Sequence, residues 1–108
     1  MALYMTQFSL TAEGWAALVR NPEDRSVALK ALAEKLGGRF LGLYYTFGEY
    51  DGLTLSDYPD NATSMAAVLA AIAPGHVRAT KTTALLTVGE AMEAMTKAGS
   101  VGFKGPRG

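Results

Sequence analysis

The chain has no cysteine, so disulfides, thiolate metal sites and cysteine nucleophiles are excluded. It has no surplus of charge. Lys and Arg number 10 and Asp and Glu number 10, which leaves no field of one sign to attract nucleic acid or an anionic membrane. No apolar run approaches the roughly 20 residues needed to span a bilayer. The opening Met1-Ala2-Leu3-Tyr4 lacks the basic region and long apolar core of a signal peptide, so a cytoplasmic protein is expected. Gly37-Gly38 is not followed by Lys-Ser/Thr at phosphate-loop spacing, and there is no Gly-x-Ser-x-Gly elbow. One histidine without cysteine does not make a typical zinc site. Neither a metal nor a cofactor is expected, and no nucleic-acid or membrane partner.

What is present suits one domain of 108 residues. The hydrophobic content of 49% exceeds what one small core needs, and points to a buried subunit interface. The chain is organised around Phe47-Gly48-Glu49-Tyr50-Asp51-Gly52. Runs rich in β-branched and aromatic residues flank it, Arg39 to Phe47 before and about Tyr50 to Tyr58 after, so the segment predicts a β-hairpin with Gly48 supplying a positive φ. Ala2 to Leu10 predicts a first strand, with Tyr4, Thr6 and Phe8 on one face and Leu3, Met5 and Gln7 on the other. His76 to Thr87 predicts a fourth.

Helical patterns fill the gaps. Thr11 caps a short helix carrying Trp15, Leu18 and Val19. Asn21-Pro22 breaks it and starts a longer one, with a stripe of Val27, Ala28, Ala31, Leu32 and Leu36 ended by Gly37-Gly38. Asp60 to Thr63 offers caps for a helix with Met65, Val68, Leu69 and Ile72 as its stripe, and Thr87 caps a last helix with Met92 and Met95. Residues 1–98 form the expected domain. Residues 99–108 form a Gly-, Lys- and Pro-rich tail expected to be flexible.

The order is β-α-β-β-α-β with a C-terminal helix: an α+β, ferredoxin-like fold with an antiparallel sheet and helices on one face. The strands carry bulky residues on both faces, so the uncovered face calls for a second copy, sheet on sheet. A homodimer or higher oligomer is expected. On these residues the chain resembles the GYD domain family, whose name echoes Gly-x-Tyr-Asp, here Gly48-Glu49-Tyr50-Asp51. Gly37-Gly38, Asp57-Tyr58-Pro59-Asp60-Asn61 and Lys81-Thr82-Thr83 extend the likeness. The resemblance implies a dimeric α/β barrel related by fold to small cofactor-independent monooxygenases. It implies no particular reaction, since fold alone does not supply function.

His76 is the one side chain with an unperturbed pKa near neutrality, and so the candidate catalytic base. A histidine at a loop–strand junction is also an ordinary surface residue. Tyr45, Phe47, Tyr50, Asp51 and Arg78 are the candidate ligand-binding residues. Aromatics line apolar pockets as well as cores, and an Asp beside Gly52 also fits a turn-fixing role. Three functions are compatible with these residues. One is a homodimeric module that binds a small apolar or aromatic molecule. Another is a cofactor-independent monooxygenase or isomerase acting on an aromatic or quinone-like substrate. The last is a structural or regulatory oligomer without ligand.

Overall fold

The structure is a computed structural model describing residues 1–107. The elements run β1 (Ala2–Leu10), α1 (Ala12–Arg20), α2 (Ser26–Lys35), β2 (Arg39–Tyr45), β3 (Gly52–Tyr58), α3 (Asn61–Ile72), β4 (Val77–Leu85) and α4 (Val88–Gly99). One antiparallel sheet of order β2-β3-β1-β4 holds all four strands. The expected α+β, ferredoxin-like order is therefore the observed one. Helices α1, α2 and α3 lie on a single face of the sheet.

Local chemistry explains most boundaries. Thr11 Oγ1 accepts the Gly14 N–H and starts α1, and Asp60 Oδ1 accepts the Thr63 N–H and starts α3. Thr87 and Glu90 form a reciprocal capping box at α4. Helix α2 ends in a Schellman turn. Gly37 adopts φ 74°, its N–H donates to the Glu34 carbonyl, and the Gly38 N–H reaches the Ala33 carbonyl.

Several expectations are corrected. Helix α2 starts at Ser26 rather than Pro22, because Asp24 Oδ1 takes the Ser26 N–H and hydroxyl and leaves residues 21–25 as a link. Its inward residues are Leu29, Leu32, Ala33 and Leu36, while Val27 is exposed. On α3 the inward stripe is Ser64, Ala67, Val68 and Ala71, and the larger Met65 and Leu69 are exposed. Gly48 is not among the glycines with positive φ. The hairpin link closes instead through Thr46, whose N–H donates to the Asp51 carbonyl at 2.9 Å and whose hydroxyl donates to the Tyr50 carbonyl.

Two β-bulges reset the strand faces. Leu41 is an extra residue in β2, since Phe40 pairs with Ser56 and Gly42 with Leu55. Strict alternation predicts Phe40 opposite Leu43 and Tyr45. The bulge brings all three to the helix side and turns Tyr44 to the other. In β4 the register shifts between Ser9 and Leu10, whose partners are Ala79 and Val77, so Arg78 is the extra residue. Val77 thereby joins Thr80 on the helix side.

The buried core is small: Tyr4, Ala33, Tyr58 and Ala67, with Leu32, Leu36 and Phe40 packed against it. It occupies one end of the space between sheet and helices. On the opposite face Leu3, Met5, Leu53, Leu55 and Leu85 form an apolar surface that α1, α2 and α3 do not cover. Helix α4 is exposed along almost its whole length. The radius of gyration is 17.7 Å, against about 13 Å expected for a compact chain of this length.

Candidate functional site

The alanine-rich helices do not fill the space above the sheet. Beyond the buried core a cavity of about 430 Å³ opens between the two layers. Strands β1 and β3 supply its floor through Thr6, Phe8, Thr54 and Ser56, with Thr80 from β4 beside them. Its roof is aliphatic: Leu18 from α1, Leu29 and Leu32 from α2, and Val68 and Ala71 from α3. Glu23, Arg25 and His76 also border it, and all three are exposed. Glu23 and Arg25 lie 3.5 Å apart. The cavity is thus an apolar slot over a row of hydroxyls, with its charged groups exposed.

Side-chain hydrogen bonds tie the floor to α3 and across its strands. The Tyr4 hydroxyl donates to Asn61 Oδ1 at 2.6 Å and ties β1 to the start of α3. Thr6 and Thr82 share a hydrogen bond of 2.9 Å across β1 and β4. Burial pushes the Tyr58 hydroxyl above its ordinary pKa, and a hydrogen bond with Ser56 opposes the shift. Tyr58 is therefore a neutral phenol at any pH near neutrality.

The sequence-predicted residues divide. His76 and Tyr45 both line the cavity. The backbone fixes His76: its carbonyl accepts the Thr11 N–H at 2.9 Å, and Gly14 is buried against it. Tyr45 is half exposed and meets Phe8 edge-on at a centroid separation of 6.4 Å. Phe47, Tyr50, Asp51 and Arg78 are not part of the wall. Phe47 is fully exposed, because it belongs to the hairpin link and not to β2. The Asp51 carboxylate turns toward α1, and Arg78 stands at the β4 bulge. The hydroxyls of Thr6, Thr54, Ser56 and Thr80 were not among the predicted site residues. Small polar side chains at helix-facing strand positions were the signal that could have found them.

A profile of the GYD domain matches residues 4–95. The chain belongs to the GYD domain family. No curated protein matches it in sequence. Among solved structures, this GYD domain is similar to TTHA0845 from Thermus thermophilus, with 18% identity and a TM-score of 0.53 over 82% of this chain and 96% of that one. It is similar to MtbAldR at 12% identity and a TM-score of 0.54, covering 80% of this chain and 52% of the other. A third is the transcriptional regulator NMB0573 from Neisseria meningitidis in complex with L-Met, at 19% identity and 0.52 over 81% and 51%. The GYD domain spans about half the length of these last two proteins. At such identities the likeness is one of fold.

Within the GYD domain, the naming tetrapeptide Gly48-Glu49-Tyr50-Asp51 serves as an anchor for the end of β1. The Asp51 N–H donates to the Phe8 carbonyl at 2.8 Å, and its side chain accepts the Leu10 N–H at 2.8 Å. Among the described residues no cluster of His, Asp and Glu could hold a metal ion, and no helix is long and apolar enough to cross a membrane.

Proposed function

We propose that this GYD domain is a homodimeric binding module that takes a small, largely apolar molecule into the cavity between sheet and helices. The cavity carries the reading. At about 430 Å³ it falls within the size range of small-molecule sites, and it combines apolar walls with a few hydroxyls. The charged groups on its border are exposed, so the ligand that fits is uncharged, with an apolar body and an edge able to bond hydroxyls.

The dimer rests on surface. The chain exposes 7745 Å², against about 5800 Å² for a folded monomer of its mass. The surplus is larger than the roughly 800 Å² each partner gives up in an ordinary stable interface. The uncovered sheet face and the exposed Val88, Met92 and Met95 of α4 supply apolar area for a partner to cover. A second reading follows from His76 and Tyr45 bordering one cavity: an oxygenase or isomerase of aromatic substrates, with His76 as base.

One series of measurements tests these readings. Titration with 1-N-phenylnaphthylamine, an uncharged aromatic fluorophore, gives saturable binding if the cavity is a ligand site. A His76→Ala variant retains that binding in a binding module, whereas an enzyme loses turnover. No saturable binding by the folded wild type overturns the module. Sedimentation equilibrium gives twice the chain mass of 11.4 kDa for a dimer. A single-chain mass at every concentration overturns the assembly.

A further inference from the structure

Asp51 does not touch the cavity, yet one of its oxygens serves two distant elements. Oδ2 accepts the Leu10 N–H at 2.8 Å and the Trp15 Nε1–H at 3.1 Å. These partners lie 41 and 36 residues away in the chain. A turn-fixing aspartate bonds its near neighbours, so the hairpin alone does not account for this arrangement. The Trp15 ring in turn packs against Tyr45 at a centroid separation of 6.1 Å and an interplanar angle of 43°. Tyr45 meets Phe8 at 6.4 Å, and both rings are cavity wall. The contacts form one path from carboxylate to indole to phenol to cavity.

Packing alone leaves this wall loose. Tyr45 is 50% exposed and Trp15 is only partly buried, so neither ring is gripped on all sides. The indole N–H is the one directional contact in the path, and a carboxylate is among the stronger acceptors it could have. We infer that Asp51 is a positioning residue: it holds Trp15, and through Trp15 the Tyr45 ring, and so fixes the cavity wall beside α1. The inference rests on the reading of the cavity as a ligand site. It gives the last residue of the Gly-x-Tyr-Asp motif a part in selecting what the cavity admits.

Trp15 is the only tryptophan, so its emission reports on the contact without a label. The test uses the full chain and 1-N-phenylnaphthylamine as probe. In Asp51→Ala the quenching of Trp15 by acrylamide rises, and the probe binds about tenfold more weakly, the effect of losing one hydrogen bond to a charged group. Asp51→Asn keeps a carbonyl oxygen for both donors and recovers most of each loss. Trp15→Phe removes the indole donor but leaves the Leu10 contact, so it reproduces the weakened binding even if Asp51→Ala does not fold. Adding Asp51→Ala to Trp15→Phe then changes the affinity less than about twofold, because the path is already cut. Equal losses from Asp51→Ala with and without the indole donor would overturn the inference and leave Asp51 as a clasp for β1. Unchanged quenching in Asp51→Ala would overturn it as well. A wild type that binds no probe would instead defeat the ligand reading, and quenching would still decide whether Asp51 holds the ring.

Discussion

A β-carbon on Gly52 would lie 2.5 Å from Phe8 Cζ and 2.7 Å from the Tyr44 carbonyl oxygen. The ring could swing, but only away from its place in the cavity wall. The carbonyl belongs to the β2–β3 ladder, where Tyr45 pairs with Gly52, and cannot yield cheaply. Gly52→Ala is therefore expected to destabilise the fold by about 1–3 kcal/mol, the usual cost of overpacking. Urea unfolding with an unchanged m-value measures it, and a loss under about 0.5 kcal/mol would contradict the close approach. In the sequence Gly52 reads as part of a turn. In the structure it opens β3, and the reason for a glycine is a ring 44 positions earlier in the chain. Asp51 behaves the same way. Its residue type was legible as a structural aspartate, but Leu10 and Trp15 were not legible as its partners, because only the folded sheet brings them near.

At the scale of elements, ends were more legible than faces. Thr11, Asp60 and Thr87 stand where a helix start needs an oxygen, and each caps its helix. Faces depend on register, and one added residue reverses them. The Leu41 bulge is why Phe40 joins Tyr45, which alternation denied. Large apolar residues also mislead on α3, where small ones face the sheet and leave the cavity open. The Asp60 cap has a pH signature. Hydrogen bonds from the Thr63 hydroxyl and N–H hold its carboxyl below the ordinary value. A depressed pKa in the fold means the contribution is complete above the unfolded value, near pH 4, and is lost as the pH falls through the lower folded value. Asp60→Asn keeps a good cap without titrating. Its thermal midpoint should match the wild type at neutral pH and fall less steeply in acid. Identical acid slopes would remove Asp60 from the account.

At the scale of the whole molecule, the single chain leaves much apolar surface uncovered. A 12-residue helix such as α4 is marginal in water without packing, and here it packs on little of its own chain. The extents of 59 × 35 × 20 Å describe an elongated, flattened body. The ferredoxin-like order was legible from element spacing alone. Which apolar residues would stay outside was not, because that depends on how far the helices stand from the sheet. If a second copy completes the fold, stability belongs to the pair, and the thermal midpoint rises with protein concentration.

The two bulges have a further consequence. Strands β2 and β4 are the edges of the sheet, and each carries one bulge, at Leu41 and at Arg78. Unpaired edges invite other chains to add strands, and a bulge spoils the straight template they need. The same irregularity that places Phe40 is therefore expected to hinder fibrous growth. Deleting Leu41 leaves Phe40 and Gly42 opposite Ser56 and Leu55, so no side chain changes face. The variant is expected to fold, yet to gain thioflavin-positive aggregates faster than the wild type; equal rates would mean that the edge is protected by other means. A sheet so guarded at its rims remains open to a partner only across its face.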